Sequence, residues 1–162
     1  MAITREKKKE ILKDLKGSLE NSKSAVFVNF HGVTVADISA MRRALRAEKV
    51  GYKVAKKSLI GLALDDQKIE GERPEFKGEL GLAFGEDLIS PAREVYSFEK
   101  KFEGKVSILG GIFEGKYKSK AEMTEIAKIP GIDTLRGMFV NIINSPIQRL
   151  VIALDQIAVK RG

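Results

Sequence analysis

Residues able to do covalent or proton-transfer chemistry are scarce in this chain, and they do not cluster. There is no cysteine and a single histidine, His31, which excludes disulfides, thiol catalysis and cysteine-based zinc sites. No Ser or Cys nucleophile motif surrounds His31, so it reads as a turn residue or a nucleic-acid contact at a strand end rather than a general base. Asp65-Asp66 and Glu86-Asp87 are acid pairs with no histidine or third ligand in sequence reach, and they read as solvated loop charges. Gly110-Gly111 with Gly115 lacks the spacing of a dinucleotide site, and no phosphate-binding loop of the Walker type occurs. The sequence therefore predicts no catalytic residue, metal or cofactor, and a small α/β enzyme has no constellation to support it.

The coherent chemistry is electrostatic. Net charge is +7, but residues 1–57 carry 14 Lys and Arg against 6 Asp and Glu, and the remainder carries 15 against 16. Such an asymmetry points to a polyanion-binding face in the N-terminal part. The positive residues fall into three clusters: Arg5, Lys7, Lys8 and Lys9; Arg42, Arg43 and Arg46; Lys53, Lys56 and Lys57. Two of these lie at strand ends or helix starts of βα units that the fold is expected to bring to one edge. Basic groups at such places suit phosphate contacts, with Arg adding bidentate geometry. Few aromatic residues accompany them, so recognition of folded RNA by shape and phosphate fits better than base stacking.

Elements that must position these groups follow from apolar spacing. Thr4 is a candidate N-cap with an incomplete capping box, and Ile11, Leu12, Leu15 and Leu19 then predict a first helix closing near Asn21-Ser22. Ala25–Phe30 reads as a strand buried on both faces, and His31–Thr34 as a turn. Ile38, Met41 and Leu45 predict a helix ended by Gly51, with a strand over 52–55 and a short helix over 58–64. The acidic, Gly- and Pro-containing stretch 65–78 is loop-like. A strand over 80–84, a helix capped by Ser90 with Pro91 at its first position, a strand over 106–113 and a helix over 119–128 complete the pattern. The glycine pair at 110–111 predicts a bulge or bend. This alternation predicts an α/β fold class: a small N-terminal layered domain, residues 1–130, of about four strands with flanking helices. Pro130-Gly131 acts as the hinge to a long, mobile C-terminal helix over 131–162.

That terminal segment is apolar on many sides. Leu135, Met138, Phe139, Ile142, Ile143, Ile147, Leu150, Val151, Leu154, Ile157 and Ala158 form a broad stripe, widened by Val140, Ile152 and Val159. As a helix it would be about 40 Å long. Its polar face, Asn141, Asn144, Ser145, Gln148, Asp155 and Gln156, is nearly neutral, whereas a membrane-surface helix is rich in Lys and Arg there. No uninterrupted apolar run reaches about 18 residues, so no spanning helix is expected. The mixed-charge N-terminus is not that of a secretory signal, which makes the cytoplasm the default location. What remains is packing against the chain's own domain or docking of partner proteins. Pro146 favours docking by dividing the stripe into two similar units about ten residues apart.

The order of features resembles the bacterial large-subunit ribosomal protein family "L ten", the base of the ribosomal stalk. The resemblance rests on Asn29–Val35, Met41–Arg46, Tyr52–Leu59, Gly110–Lys116, Ala127–Pro130 and Ser145–Leu154, in that order over the whole length. It implies that the N-terminal domain binds large-subunit rRNA beside another stalk-base ribosomal protein. The contacts implied are Arg5, Lys7, Lys8, Asn29, His31, Gly32, Thr34, Arg42, Arg43, Lys53, Lys56, Lys57 and Ser58. It further implies a terminal helix that mounts dimers of the acidic stalk protein, which recruit translational GTPases, and no membrane partner. A secondary role implied by the family is repression of the protein's own messenger through its leader. Two departures stand out: His31 occupies a place where the family often has Arg, and Lys57-Ser58 replaces a common Asn-Thr pair. Longer relatives carry a further ten-residue unit in the helix, so two stalk dimers are expected here. The alternative reading is a free-standing RNA-binding regulator that homodimerises through the same helix.

Overall fold

The computed structural model describes residues 5–161 apart from positions 68, 72, 77 and 103; the N-cap expected at Thr4 lies outside the described residues. Two compact units emerge, residues 1–129 and 130–162.

The first unit holds α1 (Arg5–Glu20), β1 (Ser24–Phe30), α2 (Val35–Ala47), β2 (Gly51–Val54), α3 (Lys57–Asp65), β3 (Leu80–Gly85), α4 (Ser90–Lys101), β4 (Val106–Phe113), β5 (Lys116–Ser119) and α5 (Lys120–Ala127). The five strands form one sheet of order β2-β3-β1-β4-β5 with every pairing antiparallel. β1 and β2 nevertheless run parallel to one another with β3 between them, and β3 and β4 with β1 between them, a split βαβ arrangement. β1 is central, which is why its run is continuously apolar. Val26 and Val28 face one core with Met41 and Leu45 of α2, Val95 of α4 and Met123 of α5. Ala25 and Phe27 face the other, with Leu15 of α1 and Ile60 and Leu64 of α3. Helices thus cover both faces of the sheet.

Several local features differ from the sequence expectation. The sheet has a fifth strand, β5, closed onto β4 by a tight turn in which Glu114 and Gly115 both have positive φ, 52° and 75°. α2 does not end at Gly51, which is in β2; it ends in a Schellman motif with Lys49 in the left-handed region, φ 58°. The Val50 N–H donates to Leu45 O at 2.8 Å and the Lys49 N–H to Arg46 O at 3.1 Å. Gly51 is glycine because a Cβ there would sit 2.5 Å from the Phe84 ring. α4 is capped not by Ser90 but by Asp87, whose carboxylate accepts from the Ser90 hydroxyl and from the Ser90 N–H at 3.2 Å. Those Ser90 bonds hold the Asp87 carboxyl below its usual range, so this acid is structural rather than a free loop charge. The bulge falls where the glycine pair stands: Phe27 pairs with Gly110 and Val28 with Ile108, leaving Leu109 as the extra residue. Gly111 is tight, since a Cβ there would lie 2.6 Å from Ala25 O.

The second unit is α6 (Ile132–Arg161), 30 residues that run through Pro146, about 45 Å at 1.5 Å per residue. Its large apolar residues from Leu135 onward are between 40% and 76% exposed. Contrary to the expectation from interrupted runs, the helix is long and apolar enough to cross a membrane by length and composition, with a mean hydropathy of 1.3 over its best 18-residue window. Averaging hides the amides and Arg149, which would fall near mid-span, where an unpaired charge is costly.

Candidate functional site

Topology brings chemistry-bearing residues to one end of the sheet. Because β1 and β2 are parallel and β3 and β4 run against them, the carboxyl ends of β1 and β2 meet the amino ends of β3 and β4. There the chain places Asn29 near the end of β1, His31 and Gly32 after it, Lys56 between β2 and α3, Lys57 and Ser58 in the first turn of α3, Gly78 before β3 and Lys105 before β4. α1 ends beside the start of β1, where the Lys23 N–H donates to Gly85 O at 3.0 Å, so its first turns with Lys7 and Lys8 reach the opposite, basic end. An apolar hollow of about 730 Å³ marks this junction, lined by Ile11 and Leu15 of α1, Phe30, Lys56, Leu59 and Gly78 among others.

Each predicted RNA contact has a distinct local role. Lys7, Lys8, His31, Gly32, Lys56, Lys57 and Ser58 are exposed. Arg5 begins α1, and its side chain lies outside the described residues. The His31 N–H donates to Lys105 O at 2.8 Å, which ties the end of β1 to the start of β4. Gly32, at φ 62°, takes the turn that a β-carbon would strain. Asn29 is half-buried against Gly78, and its Oδ1 has no hydrogen-bond partner among the described residues. Thr34 caps α2: its Oγ1 accepts from the Asp37 N–H at 3.2 Å and donates to Asp37 Oδ2 at 2.7 Å.

Two predicted groups stand apart from the sheet end. Lys53 lies inward on the α1–α3 face, where its Nζ donates to Ser18 Oγ at 2.7 Å and Asp14 O at 3.2 Å and lies 5.8 Å from the Phe84 ring centre. Arg42 lies on the opposite face, its guanidinium 5.7 Å from the Tyr52 ring centre, and Arg43 is its exposed neighbour on α2. Burial pushes the Tyr52 hydroxyl up to about 12, against the opposing pull of Arg42. The basic clusters therefore straddle the β2 edge rather than sharing one face.

A fourth basic group is one that sequence reasoning does not find. Lys100, Lys101 and Lys105 surround the turn at Gly104, φ 78°, and stand at the same sheet end. Lys100 Nζ lies 4.8 Å from the Tyr96 ring centre and Lys101 Nζ 5.8 Å from that of Phe102. Their spacing in the sequence carries no motif, and only the pairing of β4 with β1 reveals where they are.

On α6 the predicted docking residues, Leu135 to Ala158, are exposed, with Ile147 62% exposed just past the proline. Pro146 lacks the N–H that would bond Ile142 O, and a notch lined by Ile142, Ser145, Pro146 and Arg149 opens at that point. Among the described residues this helix contributes to no cluster of metal-ligating side chains; it offers apolar area.

Comparison with known proteins places the chain among ribosomal proteins. The family model described as Ribosomal protein L10 matches residues 3–100. Among curated proteins the chain is similar to the large ribosomal subunit protein uL10 of Rhodospirillum rubrum, 33% identical over 148 residues that cover 91% of this chain and 86% of that protein. It is also similar to the protein of the same name from Bacillus licheniformis, 29% identical over 159 residues, with coverage of 98% and 95%. The corresponding protein of Lactobacillus johnsonii is 30% identical over 155 residues, covering 94% and 93%.

Proposed function

The chain belongs to the ribosomal protein L10 family, and from that premise we propose how its two units share the work. It is a structural protein of the large ribosomal subunit in the cytoplasm, not an enzyme. The N-terminal unit, residues 1–130, binds large-subunit rRNA through the basic sheet end and the flanking arginines of α2. Phosphate contacts there fix position, and folded RNA is read through its shape. A neighbouring stalk-base ribosomal protein shares this surface. Residues 131–162 mount two dimers of the acidic stalk protein, one on each side of Pro146, and through them translational GTPases are recruited. Binding of the protein's own messenger leader would use the same basic end and so compete with rRNA.

The observation that carries this reading is the exposed apolar surface of α6, none of whose residues belongs to either core of the N-terminal unit. At about 25 cal/mol per Å² of apolar area removed from water, covering such a helix favours association strongly. Deleting residues 132–162 should leave rRNA binding unchanged and abolish dimer loading. Loss of rRNA binding with the helix, or dimers retained without it, contradicts the assignment. If sedimentation instead gives a stable homodimer that refuses the stalk protein, the helix serves self-association.

A further inference from the structure

We propose that the α4–β4 turn, through Lys100, Lys101 and Lys105, is a further phosphate-binding segment of the rRNA site, so that the footprint crosses the whole sheet end rather than stopping at β1 and β2. The inference rests on the rRNA reading above and extends it to a segment that carries no basic motif in sequence.

Three observations support it. First, position: Lys105 immediately precedes β4, whose Val106 pairs with Phe30, and its carbonyl accepts the His31 N–H at 2.8 Å. The turn is therefore fixed beside the predicted contacts His31 and Gly32. With strands about 4.8 Å apart, the three steps from β2 to β4 put Lys56–Lys57 and Lys105 about 14 Å apart, a span that meets several phosphates. Second, availability: Lys100, Lys101 and Lys105 are exposed and make no ion pair among the described residues. Of the described acids nearby, Glu99 is turned to Lys120 at 3.9 Å and Asp37 is held by Thr34. Third, contrast: the lysines at the far edge of the sheet are neutralised locally. Lys116 pairs with Glu70 at 3.3 Å, Lys118 with Glu122 at 3.0 Å and Lys120 with Glu99. Among the described residues the lysines of the α4–β4 turn thus have no carboxylate partner, whereas those at the β5 edge do.

The test measures binding of the full chain to in-vitro transcribed large-subunit rRNA across a salt series. The variant K100A/K101A/K105A should bind about tenfold or more weakly and lower the slope of log K against log salt by roughly 2–3, close to one for each phosphate left unneutralised. The variant K116A/K118A/K120A, which removes equal formal charge, should leave the slope nearly unchanged. Thermal melting of both variants separates unfolding from weakened RNA binding, and K100R/K101R/K105R should restore the slope. Equal slopes for the two alanine variants, or a normal slope in the first, overturns the inference and leaves the rRNA reading standing. Absence of wild-type binding overturns both.

Discussion

Phe27 and Ile142 are both large apolar residues, yet Phe27 is fully buried and Ile142 is 69% exposed. Phe27 lies in the central strand between two helix layers, and the terminal helix leaves Ile142 in water. Apolar content serves stability in one region and, on the proposed function, association in the other. Charge divides in the same way. The sheet domain concentrates basic groups at one end, whereas α6 has a nearly neutral polar face. On the proposed function, one unit meets a polyanion and the other is covered by protein.

The largest expected effect that sharpens this contrast is on stability. Phe27→Ala should destabilise the domain by about 3–5 kcal/mol through the cavity it leaves. Ile142→Ala in the isolated chain should change stability by no more than about 0.5 kcal/mol, as for other exposed positions. Chemical denaturation of both variants checks this, and a comparable loss in each would erase the distinction. Next in size, Leu150→Asp should release one of the two stalk dimers, counted by native mass spectrometry. Three dimers on the wild-type chain, or loss of both in the variant, would break the picture of two separate docking units.

Alkaline pH probes the domain through its tyrosines, because Tyr52, Tyr96 and Tyr117 all lie outside α6. Burial raises the Tyr52 hydroxyl from near 10 to about 12. Its contribution to stability is then fully present below pH 10 and is lost as pH rises toward 12. Denaturant midpoints measured through this range should fall for the wild type and fall less for Tyr52→Phe. The smallest effect concerns the end of α2. Lys49 holds a left-handed conformation that favours glycine, so Lys49→Gly should stabilise the domain by about 1 kcal/mol. Unchanged or lowered stability would show that the Lys49 side chain offsets the strain.

Much of this is legible in the sequence because apolar periodicity is local. Continuous burial of Ala25–Val28, the 3–4 spacing of α2 and the bulge beside Gly110 all follow from neighbouring residues. β5 escapes such a reading because Lys116–Ser119 is a polar edge strand with almost no apolar signal, although Glu114-Gly115 is a turn cue. The capping box of Ser119 with Glu122 is also readable and marks the start of α5. The Asp87 cap is hidden because Ser90-Pro91 offers a competing signal of the same kind. Site assembly is harder still. Nothing in the sequence says that β3 inserts between β1 and β2, or that β4 pairs with β1 and so sets Lys105 against His31. The terminal helix is legible as a largely apolar surface because that signal is compositional and local.

The most direct measurement of the division of labour is a salt series on one preparation, with rRNA affinity and stalk-dimer affinity determined side by side. With four phosphate contacts, rRNA binding should weaken about 100-fold between roughly 50 and 200 mM salt. Dimer binding, driven by apolar burial, should change only slightly over the same range. Parallel losses in the two affinities would contradict the account.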